Sequence, residues 1–119
     1  SGMFSFNTAK FKNFSYFRNM KDRIASNWYP PLLANAALGG FAPGSMRIMA
    51  IPSQKVKICF IMNRDGDIVR VELVDSMGNK PLDDSCMDAI KMSRSFGKVP
   101  DDIKGEFIMI PFIFGYYAN

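Results

Sequence analysis

Apolar residues recur along this chain at two different spacings, and each spacing predicts an element. From Ser15 the spacing is helical. Phe17, Met20, Ile24 and Trp28 follow one another at three, four and four positions and form one stripe. Arg18, Lys21, Asp22 and Asn27 lie off it. Ser15 can accept an unpaired backbone N–H as N-cap. Pro30-Pro31 ends the helix, because neither proline has an N–H to donate. Lys55 to Met62 instead alternates, with Val56, Ile58, Phe60 and Met62 on one face and Lys55, Lys57, Cys59 and Ile61 on the other. Asn63-Arg64-Asp65-Gly66 supplies a turn. Asp67 to Ser76 alternates again, with Val69, Val71 and Leu73 facing the core. This is a β-hairpin.

After a polar turn at Gly78-Asn79, Pro81 occupies the first turn of a second helix. Its stripe is Leu82, Cys86, Ala89 and Ile90. Asp83 and Asp84 near the start and Lys91 and Arg94 near the end suit the helix dipole. Gly97 and Pro100 close the helix. Glu106 to Tyr117 is an aromatic and β-branched strand. Ile108, Ile110, Phe112 and Phe114 lie on one face, with Phe107, Met109 and Ile113 on the other. Pro111 sits inside it. Proline cannot donate to a ladder, so the strand belongs at a sheet edge.

The order α-β-β-α-β predicts an α+β domain. Its three-stranded sheet has order 2-1-3, the third strand runs parallel to the second, and both helices cover one sheet face. Met3 to Phe14 carries four phenylalanines without a period and reads as an arm. Ser1-Gly2-Met3 reads as residues left by protease cleavage. The expected division is an arm at 1–14 and a folded domain at 15–119, with an extended loop at 32–54. Within that loop Gly39-Gly40 and Pro43-Gly44 mark turns and Met46 to Ile51 fits a short strand.

Composition narrows the chemistry. The 119 residues are 48% hydrophobic, which suits one well-filled domain. There is no histidine. That removes the commonest general base and the commonest metal ligand. A net charge of +4 is too small to imply nucleic acid by itself. An RNA-recognition sheet needs four strands and stacking aromatics. The corresponding face of this hairpin carries Lys57, Cys59, Arg70 and Glu72. Asp83, Asp84 and Asp88 read as a solvated helix start rather than a metal cluster. Cys86 on the buried stripe reads as a small core residue. Cys59 and Cys86 fall on opposite sides of the predicted sheet, so no disulfide is expected. Nor is a metal or cofactor. No stretch reaches the roughly 20 apolar residues that span a bilayer.

The order of these motifs resembles the C-terminal domain shared by TonB and TolA proteins. The matching residues are Ile24, Trp28-Tyr29-Pro30-Pro31, and the Val56-x-Ile58-x-Phe60 strand. Arg64-Asp65-Gly66-x-Ile68 and Ser76-x-Gly78-Asn79-x-x-Leu82-Asp83 follow. Ala89, Phe96, Pro100 and Phe112-x-Phe114 complete the set, which covers residues 15–115. The resemblance implies structural roles for Trp28, Tyr29, Pro30, Asp65, Gly66, Ser76, Gly78, Leu82 and Asp83. It also implies a non-enzymatic periplasmic domain, tethered to the inner membrane by a helix upstream of this chain. Such a domain couples proton-motive force from an inner-membrane motor complex to an outer-membrane partner. The partner is a transporter plug peptide or another envelope protein. It would add as a strand along Glu106, Phe107, Ile108, Met109, Ile110, Phe112, Ile113 and Phe114. The alternative is a TolA-like or scaffolding domain that binds periplasmic proteins or forms a homodimer. Two features depart from the family pattern. The loop at 32–54 is longer than usual, and Pro111 removes a donor from the third strand. The disulfide that TolA-like domains often carry does not transfer, because Cys59 lies closer to the Asp-Gly turn.

Overall fold

The structure, a computed structural model, describes residues 10–31 and 53–116. Five elements follow in order. They are α1 (Phe14–Ser26), β1 (Gln54–Asn63), β2 (Ile68–Asp75), α2 (Lys80–Ser93) and β3 (Phe107–Tyr116). The sheet has order β2-β1-β3, and β1 pairs antiparallel with both neighbours. β3 is therefore parallel to β2, and among the described residues it pairs with β1 alone, at the sheet edge that the sequence pattern predicts. Residues 1–9 of the expected arm and most of the long loop, including Met46 to Ile51, lie outside the described residues.

The alternation of β1 decides where the core sits. Val56, Ile58, Phe60 and Met62 are all buried, while the residues between them are not. Against that face α1 lays Phe17, Met20 and Ile24, and α2 lays Leu82, Cys86, Ala89 and Ile90. Ile108, Ile110 and Phe114 of β3 close the cluster, with Phe112 packed at its margin. Removing each large side chain from water is worth roughly 1.5–3 kcal/mol, so this layer dominates the stability.

Four expectations change. The helical stripe of α1 does not carry the helix to Pro30. The helix stops at Ser26 with Asn27 as C-cap, and Trp28 reaches the core from the chain beyond. At the other end, Ser15 lies inside the helix instead of capping it. Asn13 precedes α1, and residues 10–12 are already helical. The side-chain amide of Asn13 donates to Asp102 (2.9 Å). α2 likewise ends before Gly97. Its C-cap is Arg94, a non-glycine residue at φ +60°, whose N–H donates to the Lys91 carbonyl.

The fourth change concerns β2. Its register against β1 slips twice, between Ile61 and Met62 and between Lys57 and Ile58. Val69 and Val74 are the extra residues. A bulge adds one residue to one strand and so reverses the inside-outside parity beyond it. Ile68 consequently pairs with Met62 and packs on the core in the place expected for Val69. Val69 is 52% exposed and Leu73 44%. Val71, opposite Phe60, is the one residue of the expected trio that packs on the core.

Candidate functional site

The turn from Asn63 to Gly66 and the loop after α2 build the scaffold behind β3. Asn63 accepts from the backbone N–H groups of Asp65 and Asp67 through its side-chain carbonyl, both at 3.0 Å. That closes the turn around exposed Asp65. Gly66 sits at φ +81°, and a Cβ there would lie 1.9 Å from the carbonyl oxygen of Gly97. Glycine is needed at Gly66 for both its backbone angle and its lack of bulk. The Phe96 N–H donates to the Gly66 carbonyl (3.0 Å), and the Val99 N–H to the Arg64 carbonyl (3.0 Å). Tyr16 of α1 donates its hydroxyl to the Gly97 carbonyl (3.0 Å). Burial raises the Tyr16 pKa, partly opposed by Arg64, so the hydroxyl keeps its proton. Arg64 also donates to the Ile103, Gly105 and Pro100 carbonyls. It ties down the loop that delivers β3.

The second motif caps α2. The Ser76 hydroxyl accepts from the Gly78 N–H (3.2 Å), and the Asn79 side chain accepts from the Leu82 N–H (3.0 Å). Leu82 is buried. Asp83 is also buried in the first turn of the helix, with its Oδ1 unpartnered. Asp84 pairs instead with Lys80 (2.8 Å) at the surface. Among the described residues no group of three or more acidic or thiol side chains could hold a metal ion. The Trp28 indole N–H donates to Ser85 (3.1 Å), and its ring meets Phe114 edge-on at 5.1 Å. Tyr29 is 73% exposed, and Pro30 is half-buried. Cys59 is half-buried on the outer sheet face and Cys86 lies in the core. Both are free thiols. Burial pushes the Cys86 thiol up to about 11, which leaves it unreactive as a nucleophile.

β3 is the candidate site. Of the residues expected along the edge, Phe107 to Ile110 and Phe112 to Phe114 lie in the strand, and Glu106 immediately precedes it. They divide by side. Ile108, Ile110 and Phe114 turn their side chains into the core. Phe107, Met109 and Ile113 are 58%, 62% and 61% exposed on the outer face. Phe107 thus adds an aromatic ring to the face that looked free of them in the hairpin alone.

The backbone divides too. The Asn63 N–H donates to Asp67 on the β2 side (3.0 Å). β1 pairs with β3 one-to-one from Gln54–Tyr116 to Asn63–Phe107, so its backbone groups alternate regularly between neighbours. Val56, Ile58, Phe60 and Met62 therefore direct their backbone groups to β3, and Phe114, Phe112, Ile110 and Ile108 answer them. Phe107, Met109, Pro111, Ile113 and Gly115 direct theirs away from the sheet. Pro111 sits opposite Cys59 with its nitrogen on the free side, which is why the strand tolerates it. Among the described residues no strand pairs with this edge, which offers two pairs of donors, Phe107 with Met109 and Ile113 with Gly115, separated by a position that has none.

A cleft of about 370 Å³ opens between this edge and α1. β3 contributes Ile110, Pro111 and Phe112. Phe14, Phe17 and Met20 line it from the helix side, with Lys10, Arg18, Lys21 and Asp22 completing the wall. No spacing rule relates α1 to Pro111, so the cleft is invisible in the sequence.

Two solution structures of the Helicobacter pylori TonB C-terminal domain share this fold. One is 19% identical and superposes with a TM-score of 0.58, covering 86% of this chain and 92% of that one. The other is 20% identical with a TM-score of 0.59, covering 88% and 82%. No curated protein sequence matches the chain. The family model for the TonB C-terminal domain matches residues 42–113, from within the long loop to β3. That match spans more than half of the chain, and the protein belongs to the TonB C-terminal domain family.

Proposed function

We propose that this is a non-enzymatic, periplasmic protein-binding domain of a TonB-like energy transducer. It engages an outer-membrane transporter plug peptide or another envelope protein, which adds as a strand along Glu106 to Phe114. In this reading a tether upstream of the chain joins it to an inner-membrane motor driven by the proton gradient. The observation that carries the reading is the edge of β3 left unpaired among the described residues, where Phe107, Met109 and Ile113 turn their backbone groups away from the sheet. Unpaired N–H and C=O groups on such an edge are satisfied by an incoming strand. Family membership supports the same role, and no cofactor enters it. The test is titration of the isotopically labelled domain with plug-domain peptides from the same organism's transporters, followed by amide shifts. Binding moves Met109 and Ile113. Absence of any shift from Glu106 to Gly115 with every peptide sinks the strand-addition mechanism.

A second reading is a TolA-like or scaffolding domain that self-associates. It rests on the exposed outer-face side chains of Phe107, Met109 and Ile113, an apolar row beside Ile61. Sedimentation decides it, since a strict monomer at high concentration counts against it.

A further inference from the structure

The cleft between α1 and β3 has chemistry that the free edge alone does not explain. Its floor is apolar, with Phe17 and Met20 buried and Phe14 exposed at 63%. Its rim is cationic. Lys10, Arg18 and Lys21 stand against one carboxylate, Asp22, which lies 3.9 Å from Arg18. Among the described residues Lys10 and Lys21 have no ion-pair partner.

The position of the cleft relative to the edge gives it a reader's geometry. Side chains of a strand alternate between faces, and directly paired residues share a face. Ile110 and Phe112 face the helices, whereas Pro111 between them faces out. An added strand would therefore send the side chains opposite Ile108, Ile110, Phe112 and Phe114 toward the helices, and those opposite Ile110 and Phe112, two positions apart, lie where β3 lines the cleft. Both would enter the cleft, one over the apolar floor and one beneath the cationic rim.

We propose that the α1–β3 cleft reads the helix-facing side of the added strand, and that its partner is an extended acidic peptide segment. That segment presents an apolar side chain and a carboxylate two residues apart. The proposal rests on the strand-addition reading above and gives that partner a chemistry. Backbone pairing supplies affinity that is blind to sequence, and the cleft supplies selection.

The probes are three acetylated nine-residue peptides rich in valine and threonine. Their central triplets are Leu-Thr-Asp, Leu-Thr-Asn and Leu-Thr-Lys. Amide shifts are followed on β3 and α1 at low and high salt. The expected order of affinity is Asp, then Asn, then Lys, with at least tenfold between the ends. That gap should narrow as salt screens the rim. Shifts should reach Phe14, Arg18 and Lys21 as well as Met109 and Ile113. Lys21→Glu, an exposed change on α1 that leaves two cations against two carboxylates, should abolish the order. Equal affinities with shifts on β3 alone overturn the proposal and leave strand addition standing. No β3 shift with any peptide removes both. If the same amides move on concentrating the protein without peptide, a second copy fills the cleft and the proposal fails.

Discussion

Substitution of Gly66 by alanine tests whether the hairpin turn is locked to the loop that delivers β3. Two costs add. Gly66 sits at φ +81°, where a residue with a Cβ loses roughly 1–2 kcal/mol. The new Cβ would also lie 1.9 Å from the Gly97 carbonyl oxygen and 2.7 Å from its carbon, both backbone atoms. One strand of chain must move. The movement strains the Phe96-to-Gly66 bond and the Tyr16-to-Gly97 bond, each worth about 0.5–1.5 kcal/mol net. The sum is about 3 kcal/mol or more. Gly78 provides the control. It has φ +85°, but nothing lies within 4 Å of a Cβ built there. Gly78→Ala should cost only the conformational part, about 1–2 kcal/mol. Urea unfolding can be followed through Trp28, the single tryptophan, which packs on Phe114. With a slope of roughly 1–1.5 kcal/mol/M, the midpoints should fall by about 2–3 M and about 1 M respectively. Equal losses at the two sites would refute the claim that Gly97 crowds Gly66.

Pro111→Ala restores a donor to the middle of the free edge. A strand-adding peptide should bind about 2- to 10-fold tighter by calorimetry, as one net backbone bond allows. The thiol of Cys86 titrates at about 11 in the fold against a usual value near 8.5. The folded state thus holds a proton that the unfolded state releases. This contribution is complete below about pH 8.5 and is lost as pH rises toward 11. Urea midpoints should therefore fall between pH 8.5 and 10.5 more steeply for the parent than for Cys86→Ala. Arg64→Met removes the guanidinium that donates to the Ile103, Gly105 and Pro100 carbonyls. Hydrogen exchange should then quicken at Ile103, whose N–H donates to Pro100, while the core amides of β1 keep their protection.

What the sequence reveals here depends on whether neighbours along the chain are also neighbours in packing. β1 is legible because its alternation is uninterrupted, and α2 because its stripe repeats within a single helix. β3 is placed at an edge by Pro111 alone, since the missing N–H has one tolerable home. β2 misleads at Val69 because the bulge there shifts parity, and parity is all that alternation can report, whereas Leu73 keeps its phase opposite Ile58 and is exposed because β2 lies at the sheet margin. The end of α1 misleads for a different reason. Trp28 continues the apolar spacing because it still faces the core, although the backbone has left the helix at Asn27. The candidate edge is thus readable, but its cleft is not. Phe14, Lys21 and Pro111 meet only because α1 crosses beside β3. The Gly66–Gly97 contact is hidden in the same way, with the glycine visible and its reason some thirty residues downstream.

The pairing of β1 bears on how the domain comes together. Its hairpin with β2 joins residues close in sequence, and such hairpins form in roughly 1–10 μs. Its other ladder joins Gln54 to Tyr116 and Asn63 to Phe107, so the chain must close around all of α2 first. Contacts of that span form slowly, because loop closure costs entropy before the ladder returns any. During that interval β1 is itself an edge, with the backbone groups of Ile58, Phe60 and Met62 that later meet β3 still unpaired. The stretch that ends in the centre of the sheet is therefore the one most open to other chains during synthesis and refolding.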